Sequence, residues 1–378
     1  MRKGLLLLGL LFVMAAKGQY NVTFALGNLP QPHREDTVWL AGSFNGWNPH
    51  LLMYALPMSG YQRLITLRLP AGPHQFKCTR GSWDRVEAAT NGQDVGNRTL
   101  VVTSDTTVVL DIVAWKDDFA PMDKQHTASP NVSILTDSFF IPGLNRYRRI
   151  WLYLPPGYAT SGQRYPVLYM HDGQNLFDAL TAPFGEWGVD ECLDSLDMPG
   201  NAKPIIVGID NGQGKRMNEY NPYAFADFGM GEGDAYVDFL AQTLKPYIDK
   251  HYRTQTAASA TTVAGSSMGG LISLYATLKH PQVFGNAGIF SPAFWTAPAL
   301  DNYIDSLPNT INARMFFYAG EQESKDMVPD MERIADKVAL HSNYFMYSVV
   351  DPEGKHNEPT WRKWLPAFFA WIYGNRAE

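Results

Sequence analysis

The chain has 378 residues, with 45% apolar and 18% charged side chains, a globular composition long enough for two domains. Its 31 basic and 37 acidic residues leave a net charge of −6, so no basic excess marks a nucleic-acid surface. After the N-terminal segment, no apolar run is long enough to span a bilayer.

Residues 1–18 read as an export signal. Arg2 and Lys3 precede an apolar run from Gly4 to Ala16, and Ala16-Lys17-Gly18 offers small residues for cleavage before Gln19. Cys78 and Cys192 fall in different predicted domains, so isolated thiols are expected rather than a bridge. Asn21, Asn97 and Asn131 open N-x-S/T sequons, which matter only in a host that glycosylates exported proteins.

Residues 19–115 read as an all-β, immunoglobulin-like sandwich. VWLAGSFNGW, YQRLITLRL, HQFKCTRG, TLVVT and TTVVLDIVAW are short β-branched or aromatic runs, separated by Gly, Pro, Asn and Asp clusters. Residues 116–133 are polar, carry two prolines and read as a linker. From 134 to 374 the pattern changes to α/β. YRRIWLYLPP, YPVLYMHDG, KPIIVGIDN, ATTVAGSS, ARMFFYAG and NYFMYSVVD are strand-like, and helical patterns lie between most of them. This alternation predicts a mostly parallel sheet covered on both faces, with its site beyond the carboxyl ends of the strands.

The stretch TTVAGSSMGGLISLYA, residues 261–276, carries the first chemical signal. G-x-S-x-G fits in one register only, with Gly265 and Gly269 flanking Ser267; centring on Ser266 would put Ala264 and Met268 there. Glycines are needed because side chains two residues either side of a sharp strand-to-helix turn would collide. The turn lifts the serine hydroxyl clear of the sheet, at a helix N-terminus that favours developing negative charge.

A serine nucleophile needs a base, and in this fold the order is serine, acid, histidine. His280, His341 and His356 follow Ser267. His280 and His341 sit near helix ends. His356 lies in DPEGKHNEP, a loop between the last strand and the last helix, where a strand-tipped base belongs. The acid is expected after ARMFFYAG, where Glu321, Glu323, Asp326 and Asp330 all qualify by position; Glu323 is the choice, with Glu321 and Asp326 next. The oxyanion hole needs two backbone N–H groups. Met268 follows the nucleophile, and Gln174 follows the HDG turn that ends YPVLYMHDG, where Gly173 allows a tight turn. The His and acid positions show no zinc or calcium ligand spacing, so neither a metal nor an organic cofactor is expected.

Together HDGQNLFD, GIDN with RMNEYNP, GSSMGG, SPAFW, YAGEQES and GKHNEPTW make residues 134–374 resemble the esterase D-like α/β-hydrolases. That group includes carbohydrate esterase family 1 feruloyl and acetylxylan esterases, enterochelin-type trilactone esterases and mycolyltransferases. The resemblance implies Ser267 as nucleophile, His356 as base and Glu323 at the acid position. It implies Gln174 and Met268 as oxyanion donors, and Asp172, Trp187 and Trp295 lining the acyl or sugar side of the cleft. Residues 36–115 resemble family 48 or family 20 carbohydrate-binding modules through GSFNGWNP, PAGPHQFKCTRGSW and VGNRTLVV. That likeness implies Trp47 and Trp83 stacking on sugar faces, with Lys77 and Asn97 on hydroxyls.

The expectation is an exported serine carboxylesterase that takes feruloyl or acetyl groups from polysaccharide or oligosaccharide, without a membrane span after signal cleavage. A siderophore trilactone or small-ester esterase is the alternative within the class. A carbohydrate-binding protein with an inactive hydrolase domain is the alternative outside it.

Overall fold

The computed structural model describes residues 18–374, except 60–61, 120–124, 184, 199–202, 226–228, 309–311 and 341–344. Residues 1–17 of the expected export signal (1–18) and His341 therefore lie outside the described residues. The chain divides into two compact units, one before and one after residue 122.

The first unit is β-rich, in three small sheets. In one, Gln19–Leu26 lies antiparallel to Gln62–Pro70 and parallel to Thr106–Leu110. In another, Gly72–Thr79 pairs antiparallel with Trp39–Gly42 and with Arg98–Val102. The inward alternate positions of both sheets, among them Phe24, Leu40, Phe76, Val102 and Leu110, close on one core, as period-two patterning requires. Glu87–Ala88 and Ala114–Trp115 form the short third sheet. Cys78 is a buried free thiol, and Cys192 of the second unit a half-buried one. Burial pushes the Cys192 thiol up to about 12.

The second unit is an eight-stranded sheet. Its strands are β1 (Val132–Ile141), β2 (Arg146–Tyr153), β3 (Val167–His171), β4 (Ile205–Ile209), β5 (Thr261–Ser266), β6 (Asn286–Phe290), β7 (Arg314–Gly320) and β8 (Phe345–Asp351). They lie in the order β1-β2-β4-β3-β5-β6-β7-β8. The first two pair antiparallel, and every pairing from β4 to β8 is parallel. The five residues of β3 and of β4 are all buried, which explains their continuous apolar sequences. The polar linker expected at 116–133 is shorter than its composition suggests. Lys116–Asp118 form a turn of the first unit, whereas Thr127, Ser129 and Asn131 hydrogen-bond to Asp178, Asp190 and Asp194 of the second.

Seven helices cover the sheet among the described residues: α1 (Val189–Ser195), α2 (Arg216–Glu219), α3 (233–251), α4 (Met268–Lys279), α5 (Leu300–Asp305), α6 (Met327–Leu340) and α7 (Glu358–Tyr373). In α3 the turn over Leu240–Leu244 widens to π geometry just ahead of Pro246. A proline has no N–H to donate and crowds the carbonyl one turn back, so the wider turn lets the helix run on through it. Two apolar layers result. One holds α3 and α4 against the sheet, the other holds α1 and α7. No helix of the described residues is long and apolar enough to cross a membrane.

Candidate active site

Strand β5 ends at Ser266, and α4 begins at Met268. Ser267 between them adopts φ 58° and ψ −120°, a conformation that costs a non-glycine residue about 1–3 kcal/mol. The neighbours explain why it can persist. A Cβ on Gly265 would sit 3.1 Å from the backbone of Gly269 and from the Cβ of His171. The Ser267 N–H donates to the Phe290 carbonyl (2.9 Å) and its own carbonyl accepts from Ala293 (3.1 Å), so β6 and its loop clamp the turn. Helix α4 starts at Met268, whose N–H is among those with no intrahelical acceptor.

The carboxyl end of β7 supplies the acid position. Of the four carboxylates considered there, Glu323 alone is buried; Glu321 and Asp326 are exposed, and Asp330 is half-buried, near Arg333. One Glu323 oxygen accepts from the Ser291 hydroxyl (2.6 Å) and the Gly320 N–H (2.7 Å). The other lies 2.6 Å from His356 Nδ1. With Nδ1 facing the carboxylate, the free lone pair of a neutral imidazole falls on Nε2. His356 follows β8, is one-third exposed, and rests edge-on against Trp361 with ring centroids 5.1 Å apart. Trp361 in turn donates to Ser291 Oγ (2.8 Å). Ser291 is therefore the hub between acid, histidine and last helix. Sequence reasoning gave it no role, although it opens SPAFW. His280, the other described histidine after Ser267, pairs with Asp238 (2.7 Å) under α4.

The loop after β3 differs in detail from its expectation. The left-handed residue is Asp172 (φ 57°), not Gly173. Gly173 is required by space instead: a Cβ there would lie 2.8–2.9 Å from the backbone at Gly208, Ile209 and Asp210. Gly173→Ala is expected to lower stability by about 1–3 kcal/mol, because backbone cannot step aside; urea unfolding of the two proteins measures it. Gln174 lies in the turn Gly173–Asn175, its side-chain oxygen accepting from the Asn211 N–H (3.2 Å).

Asp172 does not line an open cleft. It is buried, accepts two hydrogen bonds from Arg216 (both 2.7 Å) and a third from Asn211 (2.7 Å). Burial alone would raise its pKa, but Arg216 and Asn211 outweigh it and hold the carboxyl below its ordinary range. Behind it, burial drives His171 down to about 3, so its imidazole is neutral, with Nδ1 2.9 Å from the Tyr236 hydroxyl. Trp187 is also corrected. It is 2% exposed, stacked on Trp361 at 5.4 Å and edge-on to Phe290 at 5.1 Å. It fills the space between sheet and α7, which leaves no face for a substrate. Trp295 is 47% exposed, edge-on to Phe225 at 5.6 Å. The next residue, Thr296, contacts Met268 Sδ at 3.5 Å, so this aromatic pair adjoins the N-terminus of α4.

In the first unit Trp47 and Trp83 are neighbours, with ring centroids 6.4 Å apart, and both are half-buried. Lys77 is buried and held by Asp94 at 2.6 Å. The exposed Asn97 donates to Gln75 (3.0 Å). The two rings are thus brought together, while the two polar side chains have partners within the unit. Among the described residues no group of His, Cys, Asp or Glu is arranged to hold a metal ion.

A serine elbow, a histidine and a buried carboxylate on the carboxyl edge of a β1-β2-β4-β3-β5-β6-β7-β8 sheet place the second unit among the α/β-hydrolases. Within that class the chain belongs to the esterase family described as "Putative esterase", whose profile matches residues 141–372. It is 31% identical over 192 residues to the uncharacterized protein YbbA of Bacillus subtilis (strain 168), covering 47% of this chain and 70% of that one. It is 31% identical over 144 residues to an endo-1,4-beta-xylanase/feruloyl esterase of Xylanibacter ruminicola, covering 37% of this chain but 19% of that protein. The fold is shared with the enterobactin esterase FES from Shigella flexneri, at a TM-score of 0.53 and 16% identity over 89% of this chain and 88% of that one.

Proposed function

We propose that this protein is an exported serine carboxylesterase that removes feruloyl or acetyl groups from polysaccharide or oligosaccharide. The observation that carries the reading is the Glu323–His356 hydrogen bond of 2.6 Å on the same sheet edge as the strained Ser267 turn. In the first half-reaction Ser267 Oγ attacks the ester carbonyl and His356 Nε2 takes its proton. The N–H groups of Met268 and Gln174 receive the developing oxyanion. The tetrahedral species expels the sugar alkoxide, to which His356 returns the proton. A water then attacks the acyl-serine, His356 again taking and returning one proton, and the free acid leaves. The steps need no metal or organic cofactor.

The substrate class rests on three supports. A curated relative carries the name feruloyl esterase. The half-exposed Trp295, edge-on to Phe225, offers an apolar ring near Met268. Trp47 and Trp83 of the first unit stand close enough to share a sugar chain. A siderophore trilactone is the weaker reading, because Arg216, whose charge would suit an anionic substrate, is committed to Asp172. The deciding assay offers purified protein feruloylated and acetylated xylo-oligosaccharides and enterobactin. Release of ferulate or acetate with intact enterobactin is expected; enterobactin cleavage alone would replace this reading with the second.

The first unit is read as a glycan-binding module. Retarded migration in xylan or glycogen affinity gels is expected for the wild type and lost in Trp47→Ala. Equal mobility of both proteins with and without either glycan would leave the unit a structural role.

A further inference from the structure

Asn175 and Glu358 meet between the two loops on which the proposed chemistry depends. Asn175 follows Gln174 directly, and Glu358 lies two residues after His356, at the start of α7. Both side chains are buried. The Asn175 Nδ2 donates to Glu358 Oε1 at 3.3 Å. The Asn175 carbonyl oxygen Oδ1 is buried and has no hydrogen-bond partner among the described residues. An unpaired buried acceptor is costly, and a carboxylate has no proton to offer it. A carboxylic acid has one, and with it an amide and an acid satisfy each other by two opposed hydrogen bonds.

We propose that Glu358 is a positioning residue: its carboxylic acid pairs with the Asn175 amide and ties the oxyanion loop to the loop that carries His356. The inference rests on the serine-esterase reading. The charges around the acid fit the neutral form. Burial and the Asp172 carboxylate of the oxyanion loop push Glu358 up to about 7. Its own N–H, His356 and Arg216 of α2 act the other way, but Arg216 is spread over its two bonds to Asp172. One turn along α7, Arg362 is engaged by Glu186 and the Trp187 carbonyl. The first turn of α7 favours the anion through the helix dipole, so the balance lies near neutrality. The sign follows. Below about pH 7 the acid keeps its proton and the pair is complete; as pH rises through that value the donor to Oδ1 is lost.

The experiment measures kcat and KM on 4-nitrophenyl acetate from pH 6 to 9 for wild type, Glu358→Gln, Glu358→Leu and Ser267→Ala, with a thermal melt of each. Glu358→Leu should lower kcat by about tenfold while KM stays within about twofold, since the residue touches the loops and not the substrate. Glu358→Gln, whose amide can complete the pair at every pH, should recover most of that loss. Its kcat should lack a downward inflection near pH 7 that the wild type shows. A Glu358→Gln profile that overlays the wild type's, or a Gln variant as poor as the Leu variant, overturns the proposal. If Glu358→Leu does not fold, the Gln profile alone decides. A Ser267→Ala protein as fast as wild type sinks the esterase reading itself. An inactive Ser267→Ala beside Glu358 variants indistinguishable from wild type sinks this inference only.

Discussion

Ser267→Ala is expected to lower kcat on a 4-nitrophenyl ester by at least about ten-thousand-fold. In the proposed mechanism the hydroxyl is the atom that bonds to the acyl carbon, and the adjacent Ser266 is not placed to replace it. Ser266 is buried at the end of β5, where its carbonyl approaches Arg216 at 3.4 Å. KM should change little, because the proposed binding surface at Trp295 stays intact. Fold should be kept, and stability should hold or rise slightly, because a smaller side chain relaxes the strained turn only in part. Steady-state kinetics with circular dichroism on the same samples measure both. A residual rate within tenfold of wild type would remove Ser267 from the chemistry.

The second large effect is expected at Glu323. Glu323→Gln keeps the shape and removes the charge. The Ser291 hydroxyl and the Gly320 N–H both donate to one oxygen of the side chain. In the variant they hold the amide oxygen on that side and turn its NH2 toward His356. The histidine must then accept at Nδ1 and carry its proton on Nε2, which is the wrong tautomer for a base. A fall in kcat of about 10³–10⁴-fold follows, with KM nearly unchanged. Glu323→Ala should lose as much activity and also about 1–3 kcal/mol of stability, because two buried donors are left unpaired. Urea unfolding separates the two variants. Glu323→Gln within tenfold of wild type would hand the acid role to another carboxylate.

Much of this site was readable in the chain because its parts are local. A strained serine turn must be flanked by small residues, so the register of GSSMGG singles out Ser267 from sequence alone. Strand-tip placement drew attention to His356 in the same way. The acid was harder, because four carboxylates follow β7 and only burial separates Glu323 from Glu321 and Asp326. The resemblance implies Trp187 on the cleft, whereas the ring lies against Trp361 and Phe290; a likeness of sequence does not separate an aromatic that faces substrate from one that faces the core. Ser291 and Asn175 were missed because their partners lie far along the chain, at Glu323, Trp361 and Glu358. β1 and β6 escaped because one mixes polar with apolar residues and the other, NAGIF, opens on Asn-Ala-Gly, residues of low strand preference.

The sheet order has a consequence for how activity arises as the chain is made. The proposed nucleophile, acid and base follow β5, β7 and β8, and Trp361 of α7 donates to Ser291. Each parallel pairing waits for an intervening crossover to collapse first, so these contacts close late. On the proposed chemistry, a ribosome-bound chain that has folded through β6 and its loop can clamp the serine turn but has nothing to take the proton. If Ser267 and His356 act as proposed, such a chain stays silent toward esters until the last strand and helix have emerged and docked.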